Sequence, residues 1–251
     1  MTGPIRRVVA LGASNLTRGF QTVVSSARAS WGPHVEVVAA LGHGRAYGSE
    51  SHFLFRTLPA ILASGLWSHL DTAPPAPTRA LVTDVGNEIL YGIPVADILA
   101  RVDEALARLA RHTDDVVLAG LPLASIRRVS PIRYRVFRSI FAPSCTLPLE
   151  VAAERAGQVN EGLALLASAR GARLFDLKPS WYGIDPIHIR PAFWREAWSE
   201  ILGVDRAGSR SAAESLRLYA MRPERQWLFG LERVTPQTGA GLAAGGRVWL
   251  Y

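Results

Sequence analysis

Four short stretches carry groups that could do chemistry together. In "VVALGASNLTRG", residues 8–19, a β-branched apolar run ends at Gly12-Ala13-Ser14-Asn15. The Ser14 hydroxyl is then lifted to the rim of a buried strand, either as a nucleophile or simply as the cap of the next helix. The glycines and lysine of a P-loop are missing there. A serine hydroxyl is a poor nucleophile at neutral pH; it needs a base, and the base needs an orienting group. "GIDPIHIRPAFW" supplies a pair for this, Asp185 and, three residues on, His188. A loop with that spacing can aim both side chains at one point; the plainer reading is an Asp-Pro turn with an incidental histidine. In "LVTDVGNEILYG", Asn87 follows a strand end, where its amide is a fixed donor for a developing oxyanion or closes an Asx-turn. In "AALGHGRAYGSES", Gly42, Gly44 and Gly48 leave backbone N–H groups open to a substrate oxygen. Their spacing is not Gly-x-Gly-x-x-Gly, and they follow the second strand, which argues against a dinucleotide loop.

These residues need a scaffold, and the hydrophobic pattern supplies one. Strands are expected at Ile5–Leu11, Val35–Ala40, Arg79–Asp84, Asp115–Ala119 and Ala172–Phe175. Helices are expected near Thr17–Ser30, Ser49–Leu62, Pro94–Arg111, Leu149–Arg170 and Pro191–Leu202. In the Pro94 helix, Val95, Ile98, Leu99, Val102, Leu106 and Leu109 recur at three- and four-residue spacing. Continuously apolar strands alternating with helices imply a parallel sheet covered on both faces, and such sheets place their sites beyond the strands' carboxyl ends. Residues 121–148 form an Arg- and Pro-containing insertion. The tail after Gly203 has strand-like patterns in "LRLYAM", "RQWLFGLERV" and "GRVWLY", and its Trp227, Phe229 and Trp249 suit packing on the domain or on a second subunit.

Composition narrows the classes. The 251 residues are 49% hydrophobic, enough for a sizeable core and too many for disorder. Net charge is +7, carried almost wholly by arginines spread along the chain, so no basic arm for nucleic acid stands out. The single cysteine, Cys145, excludes a disulfide framework and a Cys-rich metal site. No apolar run suits a secretion signal or a membrane span, and a cytoplasmic protein without membrane contact is the expectation.

The motif order is Ser after strand one, Gly after strand two, Gly-Asn after strand three and Asp-x-x-His after strand five. In that order the sequence resembles the SGNH (GDSL-type) hydrolase family over about residues 5–202. The resemblance implies a three-layer α/β/α sandwich with a flavodoxin-like, mostly parallel five-stranded sheet, spanning 1–203, and a C-terminal extension at 204–251. It implies Ser14 as nucleophile, Asp185 and His188 as its partners, and an oxyanion hole from Ser14, Gly44 and Asn87. The chemistry implied is hydrolysis of carboxylic esters, short acyl or acetyl esters of a polar or carbohydrate-like small molecule, without metal or cofactor. An acyltransferase using the same triad, or a non-catalytic binding or self-associating protein, is the alternative. No Gly-x-Ser-x-Gly elbow points to an α/β-hydrolase. The chain departs from the family in two blocks: Gly-Ala-Ser-Asn stands where Gly-Asp-Ser-Leu is usual, and Glu88 stands where Asp is usual. Around the site, Tyr91, Trp181 and Tyr182 lie on carboxyl-end loops as candidate substrate contacts. Arg127 and Arg128, with Arg133, Arg135 and Arg138 interleaved by Tyr134 and Phe137, either meet an anionic or polyhydroxylated substrate or form a solvated helix face.

Overall fold

The computed structural model describes residues 5–142, 145–205, 208, 211–242 and 245–251. Its first half runs β1 (Arg6–Leu11), α1 (Ser14–Trp31), β2 (Val35–Ala40), β3 (Ser51–Phe53), β4 (Arg56–Leu58), α2 (Leu66–Thr72), β5 (Thr78–Val82), α3 (Asn87–Leu90) and α4 (Val95–Leu109). There follow β6 (Val116–Ala119), α5 (Leu123–Ile126), α6 (Pro131–Phe141), α7 (Leu149–Arg170), β7 (Arg173–Phe175), α8 (Trp194–Leu202) and α9 (Ala212–Tyr219). The tail ends with β8 (Arg225–Leu228), β9 (Leu231–Val234), β10 (Ala240–Gly241) and β11 (Arg247–Leu250).

Strands β2-β1-β5-β6-β7 form the parallel core in the expected flavodoxin-like order. The sheet has seven strands, not five, because β11 adds in parallel to β2, from Arg247 opposite Glu36 to Leu250 opposite Ala39, and β10 pairs antiparallel beyond it. β1 is apolar on both faces because both are covered: Val9 and Leu11 join one core, Val8 and Ala10 the other. Helix α1 turns Leu16, Phe20, Val23, Val24 and Ala27 toward the second core, which α8 also covers. Helices α4 and α7 close the first core through Ile98, Val102, Leu106, Val159 and Leu163. Burying apolar surface at roughly 25 cal/mol per Å² makes these two cores the main source of stability.

Two expected elements differ. The Ser49–Leu62 helix is instead the hairpin β3–β4 and a 3₁₀ turn at Ile61–Ala63. Leu54 turns the hairpin at φ +53°, and β4 is held by β8, over 160 residues later, in a four-stranded antiparallel sheet β3-β4-β8-β9. A tertiary pairing of that range overrides local helical spacing. "LRLYAM" lies largely in helix α9, not a strand: the Ser211 hydroxyl accepts from the Glu214 N–H at 3.4 Å, and Glu214 pairs with Arg28 of α1. The Ser-x-x-Glu box that starts this helix was present in the sequence.

Candidate active site

Ser14, at the first turn of α1, sits beyond the carboxyl end of β1. Gly12 permits the turn: a Cβ there would come within 2.3 Å of the Thr83 hydroxyl. The Ser14 Oγ lies 2.8 Å from His188 Nε2, and His188 Nδ1 lies 2.6 Å from Asp185 Oδ2. His188 is buried. The other Asp185 oxygen accepts the backbone N–H groups of Ile187 and His188, each at 3.2 Å. Burial alone would raise the Asp185 pKa; the hydrogen bond and charge of His188, with the two backbone donors, outweigh it and hold the carboxyl below its usual value. Asp185 is therefore the ionised partner that orients the imidazole.

Strand β5 ends at Val82, two residues earlier than the sequence pattern suggested, and this frees Asp84 for a role not read from the sequence. Asp84 adopts φ +59°, a left-handed conformation that Asp tolerates better than most residues. Its Oδ2 accepts the N–H of Ala13 at 2.7 Å and of Leu16 at 3.1 Å, bracketing Ser14; its Oδ1 accepts from the Asn15 amide at 2.8 Å. The acid missing from position 13 is thus replaced by one from the next strand. Asn15 also donates to the Ile187 carbonyl at 2.8 Å and accepts from the Ile189 N–H at 2.8 Å. It ties the serine turn to both sides of His188. The signal for this was the unusual Ala13/Asn15 pair together with an acid one strand over.

Asn87 opens α3 beside Ser14, and its amide donates to the Arg45 carbonyl at 3.3 Å. Gly44 lies opposite at φ +71°, where its carbonyl accepts from the Tyr91 hydroxyl at 2.5 Å. Burial, and then the nearby Glu88, push the Tyr91 pKa up to about 12, so the phenol stays a donor. Glu88 is fully buried and holds this loop through the Gly48 N–H, at 3.2 Å, and the Arg101 guanidinium, at 2.5 Å. The substitution in the third block therefore serves as a strut between the Gly44 loop and α4. As the expected oxyanion donor, Asn87 replaced by Ala should lower kcat on an activated ester about 10²–10³-fold with KM little changed; steady-state kinetics checks it, and an unchanged kcat contradicts that role.

Two cavities flank Ser14. One, of about 140 Å³, is walled by apolar residues including Val85, Ile89, Leu121, Phe137 and Ala152, under the roof made by α5 and α6; Tyr182 lines it too. The other, of about 90 Å³, is lined by Arg18, His43, Gly44, Phe53, Tyr91 and His188, among others. Of the candidate contacts, Tyr182 and Tyr91 thus stand at the site. Trp181 does not: it is fully buried, donates to Glu196 at 2.9 Å and stacks on Phe175, so it is a core residue. Arg127 and Arg128 are exposed and line neither cavity, because the short helix α5 turns them to solvent. Arg135 is exposed, Arg133 caps the Ile184 carbonyl, and Arg138 bonds the Leu147 carbonyl at 3.1 Å beside the apolar cavity.

Among the described residues, no helix is long and apolar enough to cross a membrane. No family model matches the sequence, and no curated protein matches it. Solved structures do. One chain at 15% identity superposes over 79% of this chain and 96% of its own, with a TM-score of 0.55. A member of the lipolytic protein G-D-S-L family from Veillonella parvula, 13% identical, covers 80% of this chain and 98% of its own at a TM-score of 0.50. The esterase EstA from a Pseudoalteromonas species, 12% identical, covers 78% and 94% at 0.48. At these identities the likeness is one of architecture: the chain has the α/β/α fold of the GDSL-type (SGNH) proteins.

Proposed function

We propose that this chain is a serine hydrolase that cleaves carboxylic esters. The observation that carries the reading is the unbroken hydrogen-bonded line from Ser14 through His188 to Asp185, beyond the carboxyl ends of the parallel strands. His188 takes the Ser14 proton as the hydroxyl oxygen attacks the ester carbonyl. The tetrahedral oxyanion rests on the N–H groups of Ser14 and Gly44 and on the Asn87 amide. Collapse expels the alcohol, which receives the proton from His188, and leaves an acyl group on Ser14. Water, deprotonated in turn by His188, releases the acid and restores the serine.

The apolar cavity favours an apolar acyl group of modest size. Its 140 Å³ is close to the roughly 150 Å³ cavity known to accept a benzene ring. This departs from an acetyl preference and moves the polar part of the substrate to the alcohol side. A series of nitrophenyl esters tests it. The kcat/KM is expected to rise from acetate to butyrate and hexanoate and to fall at least about tenfold at palmitate, because a long chain overfills the cavity. A steady rise through palmitate contradicts the acyl assignment, and no turnover of any ester contradicts the hydrolase reading.

A further inference from the structure

The cavity on the other side of Ser14 is chemically different. Its residues Arg18 and His43 also line a neighbouring cleft of about 700 Å³, which brings in Arg56 from β4. Arg18 lies one helical turn beyond Ser14 in α1, so both face the same way. His43 comes from the loop after β2. Three elements thus direct cationic or titratable groups toward two adjoining spaces, the smaller of which holds the nucleophile while Arg56 lines the larger.

Neither arginine has a carboxylate partner among the described residues. Several other arginines with buried or half-buried side chains are paired: Arg7 with Glu36, Arg28 with Glu214, Arg79 with Asp115 and Arg101 with Glu88. The Arg18 and Arg56 guanidinium groups make no side-chain hydrogen bond or ion pair among the described residues, and no described Asp or Glu lines either cavity. Arg56 is half-buried, a costly place for a guanidinium whose recorded electrostatic neighbour is the Tyr219 phenol and not a carboxylate. The local field is visible at His43: burial first, then Arg18, Arg56 and His188, lower its pKa to about 4, so the imidazole is neutral at pH 7. A positive concavity with low-dielectric walls concentrates anions, and guanidinium forks match planar carboxylate and phosphate oxygens.

We infer that this cleft binds an anionic oxyacid group, carboxylate or phosphate, on the alcohol portion of the ester, with Arg18 and Arg56 as its cationic contacts. The proposal rests on the hydrolase reading and specifies the substrate's other half. With the acyl group in the apolar cavity, the alcohol must leave through the side that Arg18 and His43 line. The far wall of the cleft, with Phe20, Trp194, Leu218 and Tyr219, accepts an apolar body beyond the charge.

The experiment compares two butyrate esters of matched shape: that of 4-hydroxybenzoate, carrying a carboxylate, and that of its methyl ester, which is neutral. Rates are corrected for spontaneous hydrolysis. The wild type is expected to favour the anionic ester at least tenfold in kcat/KM. Arg56→Gln and, separately, the exposed Arg18→Gln are each expected to cut that preference about tenfold, the effect of losing a charge-assisted contact. Inorganic phosphate should inhibit the wild type competitively and either variant more weakly. Turnover of both esters at equal efficiency, or a preference that neither substitution changes, overturns the anion site and leaves the hydrolase reading standing. Turnover of neither ester overturns both.

Discussion

Replacing Ser14 by Ala is expected to lower kcat on a butyrate ester by about 10⁴–10⁶-fold, the scale seen when one member of a serine triad is removed. The physical reason is that the oxygen that attacks the carbonyl is gone. His188 Nε2, 2.8 Å away, is left with no proton to take. His188→Ala should cost nearly as much, since a serine hydroxyl without a base to take its proton is a weak nucleophile at neutral pH. The pair acts as a unit, so the double variant should be no worse than either single one; independent roles would instead multiply their effects. Asp185→Asn should fall by about 10⁴-fold through loss of the orienting carboxylate. Folding should survive in Ser14→Ala, because the hydroxyl contributes one bond at a half-buried rim position. Thermal unfolding close to that of the wild type, beside lost turnover, separates chemistry from stability.

The second large effect is expected at Asp84. Asp84→Asn keeps a side chain that also tolerates the left-handed φ of +59°, so the backbone is spared. What changes is charge and acceptor number. The carboxylate now receives three N–H donors, from Ala13, Leu16 and Asn15. An amide offers one acceptor oxygen and turns an NH₂ group toward the remaining donors. Losing hydrogen bonds to a charged group costs about 2 kcal/mol of stability, and loosening the serine by even about 1 Å costs on the order of 10²-fold in rate. The expected signature is a kcat about 10²-fold lower with KM little changed, because Asn has nearly the shape of the Asp84 side chain it replaces at the cavity wall and the apolar lining, Val85, Ile89, Leu121 and Phe137, is unchanged. Asn15→Ala should fall in the same direction, and the two changes together should cost less than the product of their separate effects, since both act through one network. Additive effects, or a change in KM alone, would show that the brace does not position the nucleophile.

The same residues mark where sequence reading stops. The parallel core was legible because each strand is a local apolar run and each helix has its own periodicity, as in Ile98, Val102 and Leu106. The positions of Ser14, Asn87, Asp185 and His188 were legible because each residue type falls beside a strand end that the pattern itself marks. Asp84 was not. Its role depends on β5 lying next to β1, with Leu11 opposite Val82, and on a positive φ that nothing local demands. Without that adjacency, Ala13 looked like a lost acid and Asn15 like an outlier. Glu88 was likewise read as a substitution; only the close approach of the Gly48 loop and Arg101 makes it a strut. The hairpin β3–β4 failed for the same reason, since its partner β8 lies in the tail. Arg56 sits on that hairpin, so its place in the cleft adjoining the Ser14 cavity followed from no spacing in the chain. The arginines that drew attention, Arg127 and Arg128, cluster in sequence and point to solvent.

The central claim is that Ser14 is a nucleophile activated by His188, and a fluorophosphonate probe tests it most directly. Such a probe bonds covalently to a serine only where a base removes its proton and donors hold the phosphoryl oxygen. The intact protein should take up one probe molecule, and digestion should place it on the peptide containing Ser14. His188→Ala should slow the labelling by several orders of magnitude, while denatured protein should not label at all. Absence of labelling, label on another serine, or labelling of Ser14 at the same rate in His188→Ala would contradict the account.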